Sequence, residues 1–179
     1  MIVELNEVKL VDELTKWCKK WLADVRFTQE METDIGVTMD QLSTTPQVYK
    51  YYLPLNNTAI NNDVDRAQFP CVIVRPNGST VGFEDGENYE DFDIDLVVFV
   101  SEFDTVNRYQ FALLAKKLLI NGLLGIPRHV LAQAFLLNPT IKTTVFDDSQ
   151  SPKGGLVIST TWRVYLPATK VGDIRDYKF

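Results

Sequence analysis

Residues 91–101 read D-F-D-I-D-L-V-V-F-V-S. Side chains on a strand alternate faces with a period of two, so Phe92, Ile94, Leu96, Val98 and Val100 make one unbroken apolar face. The other face begins with Asp91, Asp93 and Asp95 and continues with Val97 and Phe99. One end of this strand is therefore half-exposed and acidic, and the other is buried on both sides. That is the profile of a central strand entering a sheet from solvent. Asp104 or Thr105 then caps a long helix, and the remaining pattern predicts the cover of this strand-and-helix unit.

Upstream, Leu10, Leu14, Trp17, Trp21 and Val25 recur at helical steps, with Lys16, Lys19, Lys20 and Asp24 mostly opposite. The spacing predicts an amphipathic helix over 7–26, with Asn6 as its N-cap. From 27 to 68 no period persists. Gly36, Pro46, Pro54 and two Asn pairs predict a long loop-rich insertion with a short aromatic element at 48–53. Residues 69–75 (F-P-C-V-I-V-R) read as a strand whose Pro70 suits an edge or a strand start. The run P-N-G-S at 76–79 predicts a turn and 80–83 a further strand. An acidic loop with Gly86 at its apex follows at 84–90.

The helix over 105–124 carries two apolar stripes. Phe111, Leu114, Ala115 and Leu118 form one; Tyr109, Leu113, Ile120 and Leu124 form the other, bordered by Lys116 and Lys117. Such a helix is sandwiched, either between the sheet and the first helix or against a neighbouring subunit. The second stripe is thus a candidate subunit interface, with its own core the slightly favoured alternative. Gly125 and Pro127 stop the helix, a short segment occupies 130–135, and 141–146 and 156–166 read as two strands joined by a turn-rich loop. Leu156, Ile158, Trp162, Val164 and Leu166 build the apolar face of the last strand. Residues 167–179 form a polar C-terminal tail. The expected architecture is one α+β domain over 1–179, a single mixed or antiparallel sheet of four to five strands with two main helices packed on one face. Within it, 91–101 pairs with 69–75 and 156–166.

The chain has 179 residues, 45% of them hydrophobic, which is enough for a real core. No apolar run approaches the roughly 20 residues that span a bilayer, and the N-terminus is acidic where a signal peptide is basic. A soluble protein that starts in the cytoplasm is expected, with no membrane partner. The net charge is -6, and no Lys/Arg cluster offers phosphates a basic surface, which disfavours non-specific binding of nucleic acid. Cys18 and Cys71 read as reduced, buried thiols, and Trp17, Trp21 and Trp162 as core.

The sharpest chemical candidate is a cluster of seven acids within twelve residues: Glu84, Asp85, Glu87, Glu90, Asp91, Asp93 and Asp95. Asp91, Asp93 and Asp95 project from one strand face about 7 Å apart. Three readings fit: a solvated hairpin mouth, an acidic channel or surface patch with an assembly or DNA-guiding role, and a site for a hard cation. The spacing is not that of a calcium loop, and no lysine stands near the acids as a metal-dependent nuclease would require. His129 is the only histidine and has no nucleophile motif beside it; a surface or helix-cap role is expected. Neither phosphate-binding nor dinucleotide-binding glycine motif occurs. No catalytic, cofactor or metal-ligating residue is assigned. Replacing Asp91, Asp93 and Asp95 by Asn is expected to abolish no hydrolysis and, by relieving like-charge repulsion, to raise stability slightly.

F-P-C-V-I-V at 69–74, D-F-D-I-D-L-V-V-F-V at 91–100, the long helix after it, L-N-P-T-I at 137–141 and F-D-D-S-Q-S-P-K-G-G-L-V-I-S-T-T-W-R-V-Y-L-P at 146–167 follow one another in an order that resembles the tail-terminator (tail-completion) proteins of long-tailed bacteriophages and prophages. The first helix is a further match. The resemblance implies an α+β fold that assembles as a homo-oligomeric ring, most commonly a hexamer. Such a ring caps the tail tube, ends tail polymerisation and offers the surface that joins the head. Its implied partners are other copies of the chain, the tail-tube protein and a head-completion or neck protein, with DNA passing through unbound. Its implied location is the host cytoplasm during assembly and then the head-proximal end of the virion tail. Two alternatives stand beside it: another head–tail neck or connector component, and, from a different class, a metal-dependent phosphodiesterase built on 91–95.

Overall fold

The computed structural model describes residues 6–25, 27–32, 38–52, 70–101, 105–147 and 153–166. Helix α1 runs Glu7–Trp21, and the Asn6 side chain accepts from the Lys9 amide at 3.0 Å, satisfying one of the free donors of the first turn. Its buried side is Leu10, Val11, Leu14 and Cys18. The helix stops five residues before the expected end, where the Leu22 amide closes on the Cys18 carbonyl, and Val25 packs on the core from a turn.

Among the described residues nine strands follow in chain order. β1 (Phe27–Glu32) and β2 (Thr38–Thr44) pair antiparallel in a ladder of their own. The others are β3 (Gln47–Lys50), β4 (Cys71–Glu84), β5 (Glu87–Ser101), β6 (Val130–Leu131), β7 (Phe135–Leu137), β8 (Lys142–Asp147) and β9 (Lys153–Leu166), with helix α2 (Thr105–Leu124) between β5 and β6. These seven form one mixed sheet in the order β3-β4-β5-β9-β7-β6, and β8 also pairs with β9. β3 runs parallel to β4; the other pairings are antiparallel. The α+β class with two helices agrees with the pattern, but seven strands replace four to five. β3 is four residues long and overlaps the short aromatic element expected at 48–53, though its length is too small for a period of two to mark it as a strand; β1 and β2 lie in the stretch that reads as loop. β6 and β7 arise from a segment equally short. The tail at 167–179, residues 33–37 and 53–68 of the insertion, the first residue of the strand expected at 69–75 and the Asp104 cap lie outside the described residues.

β5 lies between β4 and β9, the partners its pattern predicts, with Cys71 opposite Phe99 and Leu96 opposite Ile158. The P-N-G-S run does not reverse the chain. β4 continues through it with a bulge between Pro76 and Gly78, and Gly78 takes a φ of 145°. The reversal comes at Asp85 and Gly86, with φ of 50° and 88°, the two positive values that a tight Asp-Gly hairpin turn needs.

The even-numbered face of β5 is the core. Phe92, Ile94, Leu96, Val98 and Val100 join Val72 and Val74 of β4 and Leu156, Ile158, Trp162 and Val164 of β9 in one cluster with the buried side chains of both helices. Trp162 is fully enclosed, and its indole N–H donates to Thr160 Oγ1 at 2.9 Å, whose hydroxyl donates to the Ile94 carbonyl at 2.8 Å. No polar atom of that pair is orphaned.

Helix α2 buries Ala112, Ala115, Leu119 and Leu123, an arc lying between the two stripes read from the sequence. Leu114 is exposed and Leu118 half-buried. On a helix this apolar, the period alone does not say which arc faces the sheet; Ala112 and Ala115 are small enough to let the helix axis approach it. Trp21 is not core but 45% exposed. It stacks on Trp17 with ring centroids 5.9 Å apart and donates its indole N–H to the Leu118 carbonyl at 3.1 Å. The pair lies over Gly122, where a Cβ would come within 2.5 Å of the Trp21 ring.

Leu131, Ala132, Gln133 and Ala134 form the β6–β7 turn, with the Ala134 amide donating to the Leu131 carbonyl at 3.1 Å and φ of 50° and 61° at its centre. Asn-Gly is the pair suited to these angles. The double change Ala132→Asn and Gln133→Gly is expected to raise the unfolding free energy by about 1 kcal/mol, read as a higher urea midpoint. Among the described residues no helix is long and apolar enough to cross a membrane.

Candidate assembly surfaces

The sheet face turned away from the helices has two zones. Near the middle of the sheet Cys71, Ile73 and Val97 form a second small apolar cluster, flanked by Tyr49, Phe99, Phe146 and Val157. Beyond it, Asp91, Asp93 and Asp95 meet a polar row on β9. Asp91 stands opposite Arg163, Asp93 opposite Thr161 and Asp95 opposite Ser159. The Asp91 carboxylate accepts from Arg163 Nε at 2.8 Å and from Nη2 at 2.9 Å, a bidentate pair. Thr161 donates to Asp93 at 2.7 Å and Ser159 to Asp95 at 2.7 Å. Asp95 is 4% exposed and also lies 3.5 Å from Arg75 Nη2 on β4.

Arg163 is the hub of this zone. It donates to Glu84 as well as to Asp91, and its guanidinium lies 3.7 Å from the centre of the Tyr89 ring. Hydrogen bonding to Asp91 is the main cause that holds its pKa above the ordinary value, with Glu84 and Tyr165 adding to it against the effect of burial. Tyr89 in turn lies across Gly82, where a Cβ would be 2.4 Å from its hydroxyl.

The seven acids of the sequence cluster are therefore not one site. Glu90 lies on the helix side, opposite Val81 and Val164. Asp85 sits in the hairpin turn, with Glu84 and Glu87 facing each other across its exposed base. Asp91, Asp93 and Asp95 share a face as expected, but each accepts a hydrogen bond from β9. Among the described residues no group of three or more His, Cys, Asp or Glu is arranged to hold a metal ion. Arg75, Tyr89, Ser159, Thr161 and Arg163 escaped the sequence reading. The signal was present, since Ser159, Thr161 and Arg163 alternate with the apolar residues of β9 at the same period of two.

His129 ends a turn rather than capping α2, with a φ of 57°, half-buried, and its Nδ1 has no hydrogen-bond partner. Cys18 and Cys71 are both fully buried, and burial pushes each thiol up to about 12, partly offset at Cys71 by a backbone hydrogen bond with Phe99. Neither thiol is expected to react with a disulfide reagent at pH 8 until denaturant unfolds the chain. Because the folded values lie above the ordinary thiol value of roughly 8.5, this contribution to stability is complete below that pH. It is lost as pH rises toward about 12. Thiol titration and alkaline unfolding monitored by circular dichroism check both statements.

A second surface lies on α2. Tyr109 is 47%, Leu113 38% and Leu124 41% exposed, with Leu114 at 48% on the adjoining flank. Only Ile120 of the second stripe packs on the core. The intramolecular reading of that stripe, the favoured one from the pattern, holds for Ile120 alone. A third apolar surface is at the hairpin formed by β4 and β5, where Val81 and Phe83 are 67% and 70% exposed.

Comparison with protein-family models finds no family that matches this chain, and comparison with curated proteins finds no match.

Proposed function

We propose that this chain is a structural assembly protein of a long-tailed phage or prophage, a tail terminator that forms a ring of six copies on the end of the tail tube. The ring ends tail polymerisation and presents the surface to which a head-completion or neck protein joins, with DNA passing through its lumen. In this reading the protein acts in the host cytoplasm and stays at the head-proximal end of the virion tail. The resemblance across 69–167 suggests the role. The observation that carries it is the apolar flank of α2, where Tyr109, Leu113 and Leu124 remain exposed beside the arc that fills the core. A subunit that buries this flank against its neighbour uses different surfaces on its two sides, and such head-to-tail contacts close into a ring when the rotation per subunit allows it. A net charge of -6 suits a lumen that lets DNA slide without gripping its phosphates.

Full burial of a leucine is worth about 1.5–3 kcal/mol, and a carboxylate in its place is costly to desolvate. Leu113→Asp is therefore expected to dissociate the ring in sedimentation velocity while circular dichroism and the melting curve stay close to those of the parent, since Leu113 is not part of the core. A variant that loses its fold instead would return the stripe to the core. Deleting the protein from its phage should give overlong or unjoined tails; normal tails beside unjoined heads would assign it to the head side of the neck.

A further inference from the structure

Beside the outer edges of the short terminal strands β3 and β6, two longer runs of edge stay open among the described residues. β3 pairs with β4 only over residues 71–74, so residues 75–84 of β4 have β5 on one side and no described strand on the other. β8 pairs with β9 alone. An open edge presents a row of amide and carbonyl groups ready to accept another strand. Pro76 and the bulge before Gly78 blunt only the start of the β4 run; beyond them Val81 and Phe83 are 67% and 70% exposed, and Val145 is 39% exposed beside β8.

We propose that the sheet continues from one copy of this chain into the next, residues 79–84 of β4 pairing antiparallel with β8 of the neighbouring copy. The proposal rests on the ring reading and adds a second contact between neighbouring copies beside the burial of the α2 flank. A single register places Glu84 opposite Lys142 and Val81 opposite Val145. The faces agree for both pairs. Glu84 bonds Arg163 on the face away from the helices, and Lys142 shares that face because it stands opposite Ser159. Val145 stands opposite Leu156 and so lies on the helix face, the face that Val81 shares with Glu90 and Val164. The charges are complementary: Glu84, Asp85 and Glu87 crowd the hairpin tip, whereas Lys142 is an exposed cation at the start of β8. The occupant of each edge is therefore the other edge of a second copy.

The two edges also sit at opposite ends of the strands. β8 runs beside residues 154–159 of β9, while the free run of β4 runs beside residues 87–95 of β5. Joining them staggers each copy along the strand direction, the kind of offset that closing a sheet into a barrel requires.

Charge exchange tests the contact. Glu84→Lys alone and Lys142→Glu alone are expected to need more than about tenfold higher protein concentration to assemble. An equimolar mixture of the two variants is expected to assemble like the parent, because every contact in an alternating ring again joins opposite charges. Lys142→Glu leaves the Glu84–Arg163 bond untouched, which separates loss of contact from loss of fold. As a second measurement, a Val81→Cys, Val145→Cys double variant treated with copper–phenanthroline should give a ladder of reducible oligomers, against a silent background from the buried Cys18 and Cys71. Rings that form undiminished in both charge variants, a mixture that fails to recover, or an assembled cysteine variant that yields no ladder would overturn the edge contact and leave the ring standing. A parent protein that remains monomeric at all concentrations, with and without tail tubes, overturns the ring and this contact together.

Discussion

Gly155→Ala is expected to cost about 3 kcal/mol, at the upper end of what overpacking a sheet costs and a large share of the roughly 5–15 kcal/mol that holds an ordinary domain folded. Gly155 lies in β9 between β5 and β8, opposite Phe99 on one side and Phe146 on the other. The rings of those two residues meet edge to face with centroids 5.3 Å apart, so the space above the glycine is already taken. A Cβ built there would stand 1.9 Å from the Val98 carbonyl oxygen and 3.0 Å from Phe146 Cζ. The carbonyl belongs to the central strand, which is held on both sides and cannot retreat as a flexible side chain would. Urea unfolding followed by tryptophan fluorescence should show a much lower midpoint or a chain that does not fold. A midpoint equal to the parent's would mean that β9 does not pass this close to β5.

The triple change Asp91→Asn, Asp93→Asn and Asp95→Asn is expected to destabilise by about 2–4 kcal/mol, the reverse of what charge spacing along one strand suggests. Repulsion between carboxylates about 7 Å apart is weak beside the bonds each makes across the strands. Asp91 loses the bidentate geometry that holds Arg163, because an amide offers only one acceptor to the two donors at 2.8 and 2.9 Å. Asp95 is 4% exposed, so an amide there brings an N–H₂ into a site built to donate to an acceptor, from Ser159 at 2.7 Å and Arg75 at 3.5 Å. Asp93 should matter least, since Asn still accepts from Thr161. The single variants should rank in that sense in urea unfolding. A triple variant as stable as the parent would contradict the hydrogen-bonded ladder.

The pattern of residues 91–101 located the centre of the sheet because a strand buried on one face along its whole length writes that face into the sequence. The same logic found β4 and β9, the Asn6 cap and the start of α2. It failed where the signal is not periodic. β3 is too short to show a period, so the aromatic element expected at 48–53 carried no sign of its parallel pairing with β4. The P-N-G-S run is a turn by composition but a bulge in place, because Asp85-Gly86 beyond it makes the better hairpin. On α2 the composition is apolar on nearly every side, so the buried arc depends on Ala112 and Ala115 meeting the sheet. For the acidic face, counting carboxylates on β5 missed what β9 supplies. A strand's charge is read only together with the strand beside it, and register is a property of the fold.

The central claim is a ring at the end of a tube, and electron microscopy of purified tail tubes incubated with this protein tests it most directly. The account predicts a six-fold ring on one end of each tube and tubes that no longer lengthen when tail-tube subunits are added. Bare tube ends that keep growing, together with a protein that sediments as a monomer at high concentration, would contradict it.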